Sequence, residues 1–434
     1  MERNLFKDLE RWKNKKNRKP LIIQGARQVG KTWIMKEFGN RYYKNMVYIN
    51  FDNNEVMKKV FEIDFDISRI VAAIKIENGG EFVPEDTLII FDEIQEAPKA
   101  LASLKYFYEN APQYAIMAAG SLLGVALHEG TSFPVGKVDF LRLYPMDFRE
   151  FIAALGEDAL AKTLKDGDYE LVSAYSVKYR ELLKKYYYVG GMPEAVQTYI
   201  DTGDVFTVRE IQRNLLTYYE EDFSKHAPKE VVPRIRMVWN SIPSQLAKEN
   251  RKFIYGSLRE GARAKDFELA IQWLEDAGLI LRSYRISKPD IPLIAYMEMS
   301  SFKMFMLDVG LLAAKSDLSA KVLLDGSRIF EEFKGALTEQ YVAQQLKASN
   351  RELYYYSTEN SSGEIDFILQ QDLECIPVEV KAGENLRAKS LRAFCAKYKP
   401  QSAIRTSMSD YRKEEWMTNV PLYMLMDYLE SEYE

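Results

Sequence analysis

A chain of 434 residues, 47% hydrophobic and 28% charged, has the composition of a globular protein and the length for two or three cores. Its formal net charge of −5 argues against nonspecific polyanion binding by the whole surface, and Cys375, Cys395, His128 and His226, its only cysteines and histidines, form no metal-ligand or disulfide pattern. Any metal is therefore expected on oxygen ligands.

The polar start Met1–Lys7 has no secretion-signal character. The longest uncharged apolar stretch, Ala115–Leu127, is shorter than the ~18 residues a membrane span requires. The expectation is a cytoplasmic protein with no membrane partner. A basic run, Arg11, Lys13, Lys15, Lys16, Arg18 and Lys19, reads either as a solvated helix end or as a local nucleic-acid patch.

From Pro20 to Leu155 short apolar strands alternate with helices, the pattern of a parallel sheet covered by helices. Strands are predicted at Leu21–Ile23, Met46–Phe51, Leu88–Phe91, Tyr114–Ala119 and Val138–Leu143, and helices after Gly30, Pro98 and Pro145. Between the first strand and helix, Gly25-Ala26-Arg27-Gln28-Val29-Gly30-Lys31-Thr32 fits G-x-x-x-x-G-K-[ST] without mismatch. Such a loop turns backbone N–H groups around phosphate oxygens at a helix N-terminus. Lys31 is expected at the β- and γ-phosphates of ATP and Thr32 on Mg2+. The buried-strand pattern Leu88-Ile89-Ile90-Phe91 ends in Asp92, a magnesium carboxylate, and Glu93, which would polarise the attacking water. Ser121, after another strand, reads either as a sensor of the γ-phosphate or as a turn residue.

Residues 156–227 are predicted helical, interrupted at Val189-Gly190-Gly191-Met192-Pro193. Residues 228–300 hold helices followed by a strand, Leu279–Ile286, an order that fits a winged helix or a plain lid. Residues 301–434 return to α/β, with helices at 328–346 and 389–398, strands at 353–357, 364–369 and 376–380, and an acidic tail, Asp427–Glu434, expected to be solvated. Asp366 lies on one of these strands, and Glu379 and Lys381, two residues apart, share a face of the next.

The ordered set Gly25–Thr32, Leu88–Gln95, Gly120-Ser121, Leu143-Tyr144-Pro145, Gly190–Glu194, Phe305–Leu311, Gly335–Val342, Gly363–Leu369 and Val378–Lys381 resembles a family of bacterial and archaeal ATPases. In that family an AAA-like P-loop domain is joined to an uncharacterised C-terminal domain. One departure is Gly136-Lys137, where an arginine is common; lysine lacks the bidentate fork of an arginine finger, which leaves Lys137, Arg142 or neither to complete a neighbouring subunit's site in a nucleotide-dependent homo-oligomer.

The C-terminal pattern resembles the PD-(D/E)xK nucleases, although Ile365 stands where their proline would precede Asp366. The resemblance implies a restriction-endonuclease-like domain in which Glu339, Asp366 and Glu379 hold magnesium and Lys381 steadies the developing charge, with DNA or another nucleic acid as substrate. Apart from the resemblance, Glu379 and Lys381 fit an everyday exposed cross-strand pair better than a catalytic one. The expected layout is a P-loop ATPase domain (1–155), a helical lid (156–227), a winged-helix-like subdomain (228–300) and a nuclease-like domain (301–434). The functional alternatives are an ATPase controlling a nuclease, and a nucleotide-dependent switch or remodelling ATPase that binds a partner without cleavage.

Overall fold

The computed structural model describes residues 1–120, 133–248, 251–325, 331–358, 363–383 and 388–433. The chain divides into two compact units. The first comprises residues 3–144 with 276–278, and the second the remainder.

The first unit is built on five parallel strands, β1 (Leu21–Gln24), β2 (Asn45–Asn50), β3 (Thr87–Asp92), β4 (Ala115–Ala119) and β5 (Asp139–Arg142), in the order β2-β3-β4-β1-β5. Its helices are α1 (Phe6–Lys13), α2 (Lys31–Tyr42), α3 (Glu55–Ile63), α4 (Ile67–Glu77) and α5 (Pro98–Asn110). Every residue of β3 is buried, as its unbroken apolar run predicts. The helices α3 and α4 start on side-chain caps, Asn54 accepting from Met57 N and Asp66 from Ser68 N, each at 2.9 Å. Their apolar stripes, Met57 and Phe61, then Ile67, Ile70, Val71 and Ile74, join Ile49, Phe51 and Phe91 in one core. The basic run is spent on local bonds. Lys13 donates to Tyr42 O at 2.7 Å, Lys19 donates to Gly136 O at 2.8 Å, and Lys15 pairs with Asp139 at 3.0 Å.

The second unit opens with helices that include α6 (Phe148–Ala154), α7 (Ser176–Val189), α8 (Val205–His226), α9 (Val232–Leu246) and α10 (Ala264–Asp276). Eight strands follow: β6 (Ile280–Ile286), β7 (Met297–Met306), β8 (Tyr354–Ser357), β9 (Glu364–Gln371), β10 (Glu374–Val380), β11 (Ile404–Ser407), β12 (Arg412–Lys413) and β13 (Thr418–Pro421). They form one mixed sheet in the order β12-β13-β11-β10-β9-β8-β6-β7. Three further helices matter below, α11 (Val309–Lys315), α12 (Glu331–Ala348) and α13 (Lys389–Tyr398).

The two compact units part between Tyr144 and Pro145. The strand expected as a wing, Leu279–Ile286, is β6, which pairs antiparallel with β7 and parallel with β8 inside the large sheet.

In the described part of the acidic tail, Ser431 and Glu432 are exposed as expected, but Asp427–Leu429 are buried. The tail belongs to a helix, α14 (Leu425–Tyr433), with Leu425, Tyr428 and Leu429 buried and Asp427 paired with Arg149 at 2.7 Å. The Gly190-Gly191 interruption also has a structural cause. Asp308 caps α11 by accepting from Leu311 N at 3.0 Å, and its other oxygen accepts from Gly191 N at 2.7 Å. A Cβ on Gly190 would lie 2.1 Å from that carboxylate, so no larger residue fits. Among the described residues, no helix is long and apolar enough to cross a membrane.

Candidate functional site

The loop from Gly25 to Thr32 leaves β1 and enters α2. Gly25 takes φ 150°, and a Cβ there would lie 2.2 Å from Leu143 O. Gln28 (φ 64°) and Gly30 (φ 97°) complete the turn, while Ala26 and Val29 are buried anchors. Outside the motif, the buried Arg3 guanidinium donates to Val29 O at 3.1 Å and to Tyr144 O at 2.6 Å, tying the loop to the end of β5. Lys31 folds back on its own loop, donating to Gly25 O at 2.9 Å and Ala26 O at 2.7 Å. Burial lowers its ammonium to about 8, against the opposing pull of Glu93 and Asp92.

Asp92 ends β3, and Oδ2 accepts from Thr32 Oγ1 at 2.6 Å and from Tyr48 OH at 2.9 Å. Its Oδ1 accepts from Glu93 N at 3.1 Å. A hydroxyl and a carboxylate joined this way are hard oxygen donors, a set that fits magnesium. Glu93 sits in the left-handed region at φ 49°, a conformation that costs a non-glycine residue about 1–3 kcal/mol and clusters at functional sites. Its Oε2 accepts from Gln95 Nε2 at 2.6 Å. Ser121 lies outside the described residues.

The carboxylates of the second unit are arranged differently from expectation. Glu339 of α12 is fully buried, with Oε1 accepting from Lys303 Nζ at 2.7 Å and Oε2 from Arg251. Lys303 also donates to Glu364 Oε1 at 2.6 Å and lies 3.8 Å from Asp366 Oδ1, with Arg251 at 4.0 Å from the same atom. Asp366 Oδ2 accepts from Val380 N at 2.8 Å. Two cations thus serve three carboxylates. Burial raises Glu339, but Arg251 and Lys303 outweigh it and hold the group below the usual range. Asp366, the least well paired, is raised to about 7 by burial and then by Glu339.

Glu379 and Lys381 pair with each other at 2.8 Å on the other face of the sheet. Cys375 packs in the cluster of Leu391 and Phe394 of α13, and alternation along β10 carries Glu379 to that same face. Burial and the nearby Glu379 charge push the Cys395 thiol of α13 up to about 11. Tyr354 and Tyr356 face α13 as well, whereas Tyr355 between them lies under Lys303, 5.0 Å from ring centre to Nζ. The expected convergence of Glu339, Asp366, Glu379 and Lys381 is therefore corrected: a register shift in β9 against β8, between Ile365 and Ile368, turns Asp366 to the face of Lys303 and Glu339 of α12, while Glu379 and Lys381 keep the face of α13. Among the described residues, no group of three or more His, Cys, Asp or Glu side chains could hold a metal.

An AAA domain model matches residues 17–152. Residues 17–152 are thus similar to AAA domains, and the first unit has the loop and strand geometry described above. Two domains of unknown function match the rest, DUF8612 over residues 180–322 and DUF4143 over residues 334–425. Among solved structures, the Walker-type ATPase PABY2304 of Pyrococcus abyssi aligns over 71% of this chain and 94% of its own, with 15% identity and a TM-score of 0.42. Cdc6p from Pyrobaculum aerophilum aligns over 71% and 88%, with 11% identity and a TM-score of 0.22. Comparison with curated proteins finds no match.

The structure brings together Lys31, Thr32, Asp92 and Glu93, which the sequence singles out, and sets Arg3, Tyr48 and Gln95 around them. Gln95 stands two residues past Glu93 in sequence, whereas Arg3 and Tyr48 lie in segments with no motif. In the second unit Arg251 and Lys303 carry no sequence signal until the sheet brings β7 beside α12.

Proposed function

We propose that the chain binds ATP with magnesium and hydrolyses it to ADP and phosphate, and that its second unit acts as a nucleotide-governed recognition module. The observation that carries the first half is the meeting of Thr32 and Asp92 at 2.6 Å beside the buried Lys31. On binding, Lys31 exchanges the carbonyls of Gly25 and Ala26 for β- and γ-phosphate oxygens, and the loop N–H groups cradle the phosphates. Thr32 and Asp92 hold the magnesium, which supplies charge neutralisation at the phosphoryl oxygens. Glu93, released from the Gln95 amide, accepts a proton from the water that attacks the γ-phosphorus while the bond to the bridging oxygen breaks and ADP departs. Fluorescent-nucleotide titration tests the reading: the parent should bind and Lys31→Ala should not, and equal binding by both would overturn it.

The second half is supported by Lys303 and Arg251, which already fill the space between the carboxylates. The second reading, a nuclease, is favoured by the order α12-β8-β9-β10-α13-β11, with β9–β10 antiparallel and β10–β11 parallel. It requires groups on opposite faces of the sheet to meet. Metal-dependent cleavage of DNA or RNA, with or without ATP, that is abolished by Asp366→Ala or Lys381→Ala would establish the nuclease and displace the recognition module.

A further inference from the structure

Tyr48 has no place in either half of the nucleotide motif, yet it touches the residue on which magnesium binding depends. It lies on β2, where Asn50 pairs with Asp92 of β3, and its hydroxyl rises from two residues earlier to meet Asp92 Oδ2 at 2.9 Å. The Lys36 ammonium of α2 stands 3.5 Å from the centre of the Tyr48 ring and fixes it from the other side.

The three donors to Asp92 divide unequally. Thr32 Oγ1 and Tyr48 OH both spend a proton on Oδ2, whereas among the described residues Oδ1 receives only the Glu93 N–H at 3.1 Å. A carboxylate oxygen offers about two acceptor directions. Oδ2 is therefore saturated by protein, and Oδ1 keeps a lone pair for a metal ion or its bound water. Without the phenol, Oδ2 would hold only the threonine hydroxyl, the same group that must orient toward the metal, and the carboxylate could rotate.

We propose that Tyr48 is the positioning residue of the magnesium carboxylate, holding Asp92 in one rotamer so that Thr32 and Asp92 present oxygens to the metal together. The inference rests on the ATP–magnesium reading above. It assigns Tyr48 to the metal-dependent part of nucleotide binding and leaves the metal-independent part to the loop and Lys31.

The test is Tyr48→Phe, which removes one oxygen and keeps the ring over which Lys36 sits. Affinity for a fluorescent non-hydrolysable ATP analogue is measured in EDTA and across a magnesium titration, with the melting temperature as a check on folding. In EDTA the variant should bind within twofold of the parent. The magnesium concentration giving half the gain in affinity should rise about tenfold, the scale of losing one hydrogen bond to a charged group. On an Asp92→Asn background the Tyr48→Phe change should add nothing, as expected when one residue acts through the other. An unchanged magnesium midpoint would overturn the inference, and so would an equal loss with and without magnesium, which is the mark of a general packing role. If the parent itself binds no analogue or ignores magnesium, the underlying ATP–magnesium reading fails instead, and the two failures are separable.

Discussion

The Lys303 ammonium and the Glu339 carboxylate, both wholly shielded from water, meet at 2.7 Å between β7 and α12. A cation inside a cluster of carboxylates compensates their charge as a bound metal would, but it is tethered to the sheet. Removing one partner of such a pair leaves its neighbours' charge buried and uncompensated, which costs about 3–5 kcal/mol. Lys303→Met should therefore lower the melting temperature of the second unit strongly, while Arg11→Ala, in an exposed pair with Asp8 at 2.8 Å, should leave the protein within about 1 kcal/mol of the parent. Differential scanning calorimetry of the two variants checks the contrast.

The same cluster makes stability depend on pH. Asp366 is raised to about 7 in the folded protein, whereas an unfolded aspartate titrates near about 4. Between these values the folded chain holds a proton that the unfolded chain has released. This contribution is fully present below the lower value and is lost as pH rises through the higher one. Asp366→Asn keeps the neutral form at every pH, so the difference in melting temperature between pH 5 and pH 8 should shrink in the variant.

Gly25→Ala should abolish nucleotide binding with little loss of secondary structure. The new methyl group would lie 2.2 Å from Leu143 O, and only a shift of the loop could relieve it. Binding and circular dichroism measured side by side separate loss of the site from loss of the fold.

If copies of the chain meet around nucleotide, Arg142 is the candidate cation, because it is exposed on β5 while Lys137 is paired with Glu109 at 3.0 Å. Sedimentation with a non-hydrolysable analogue should show self-association. Arg142→Ala should then lower the hydrolysis rate of the associated protein more than Lys137→Ala does.

Much of the fold was legible because its signals are local. The apolar run before Asp92 has the unbroken pattern of a strand buried on both faces, and the glycine spacing of residues 25–32 is that of a loop turning from a strand into a helix. The helix 389–398 was read to the residue. What escaped depends on contacts distant in sequence. Arg149 lies 278 residues from Asp427, and no window of sequence reveals that their pairing draws the acidic tail into a docked helix. The pairing of β6 with β8 likewise spans the whole of β7, α11 and α12, so a strand that resembles a wing in sequence becomes part of a larger sheet. The expectation for Asp366, Glu379 and Lys381 used the two-residue period correctly within β10. It had no means of placing Asp366 of β9 on the face of Lys303 and α12.

The most direct test of the account is phosphate release from ATP by Glu93→Gln beside the parent, with nucleotide binding measured on the same samples. The amide keeps the size of the side chain but cannot accept the water's proton, so the variant should bind ATP like the parent and lose at least about a hundredfold in turnover, the lower range for a general base. A variant that hydrolyses ATP as fast as the parent would contradict the assignment of Glu93.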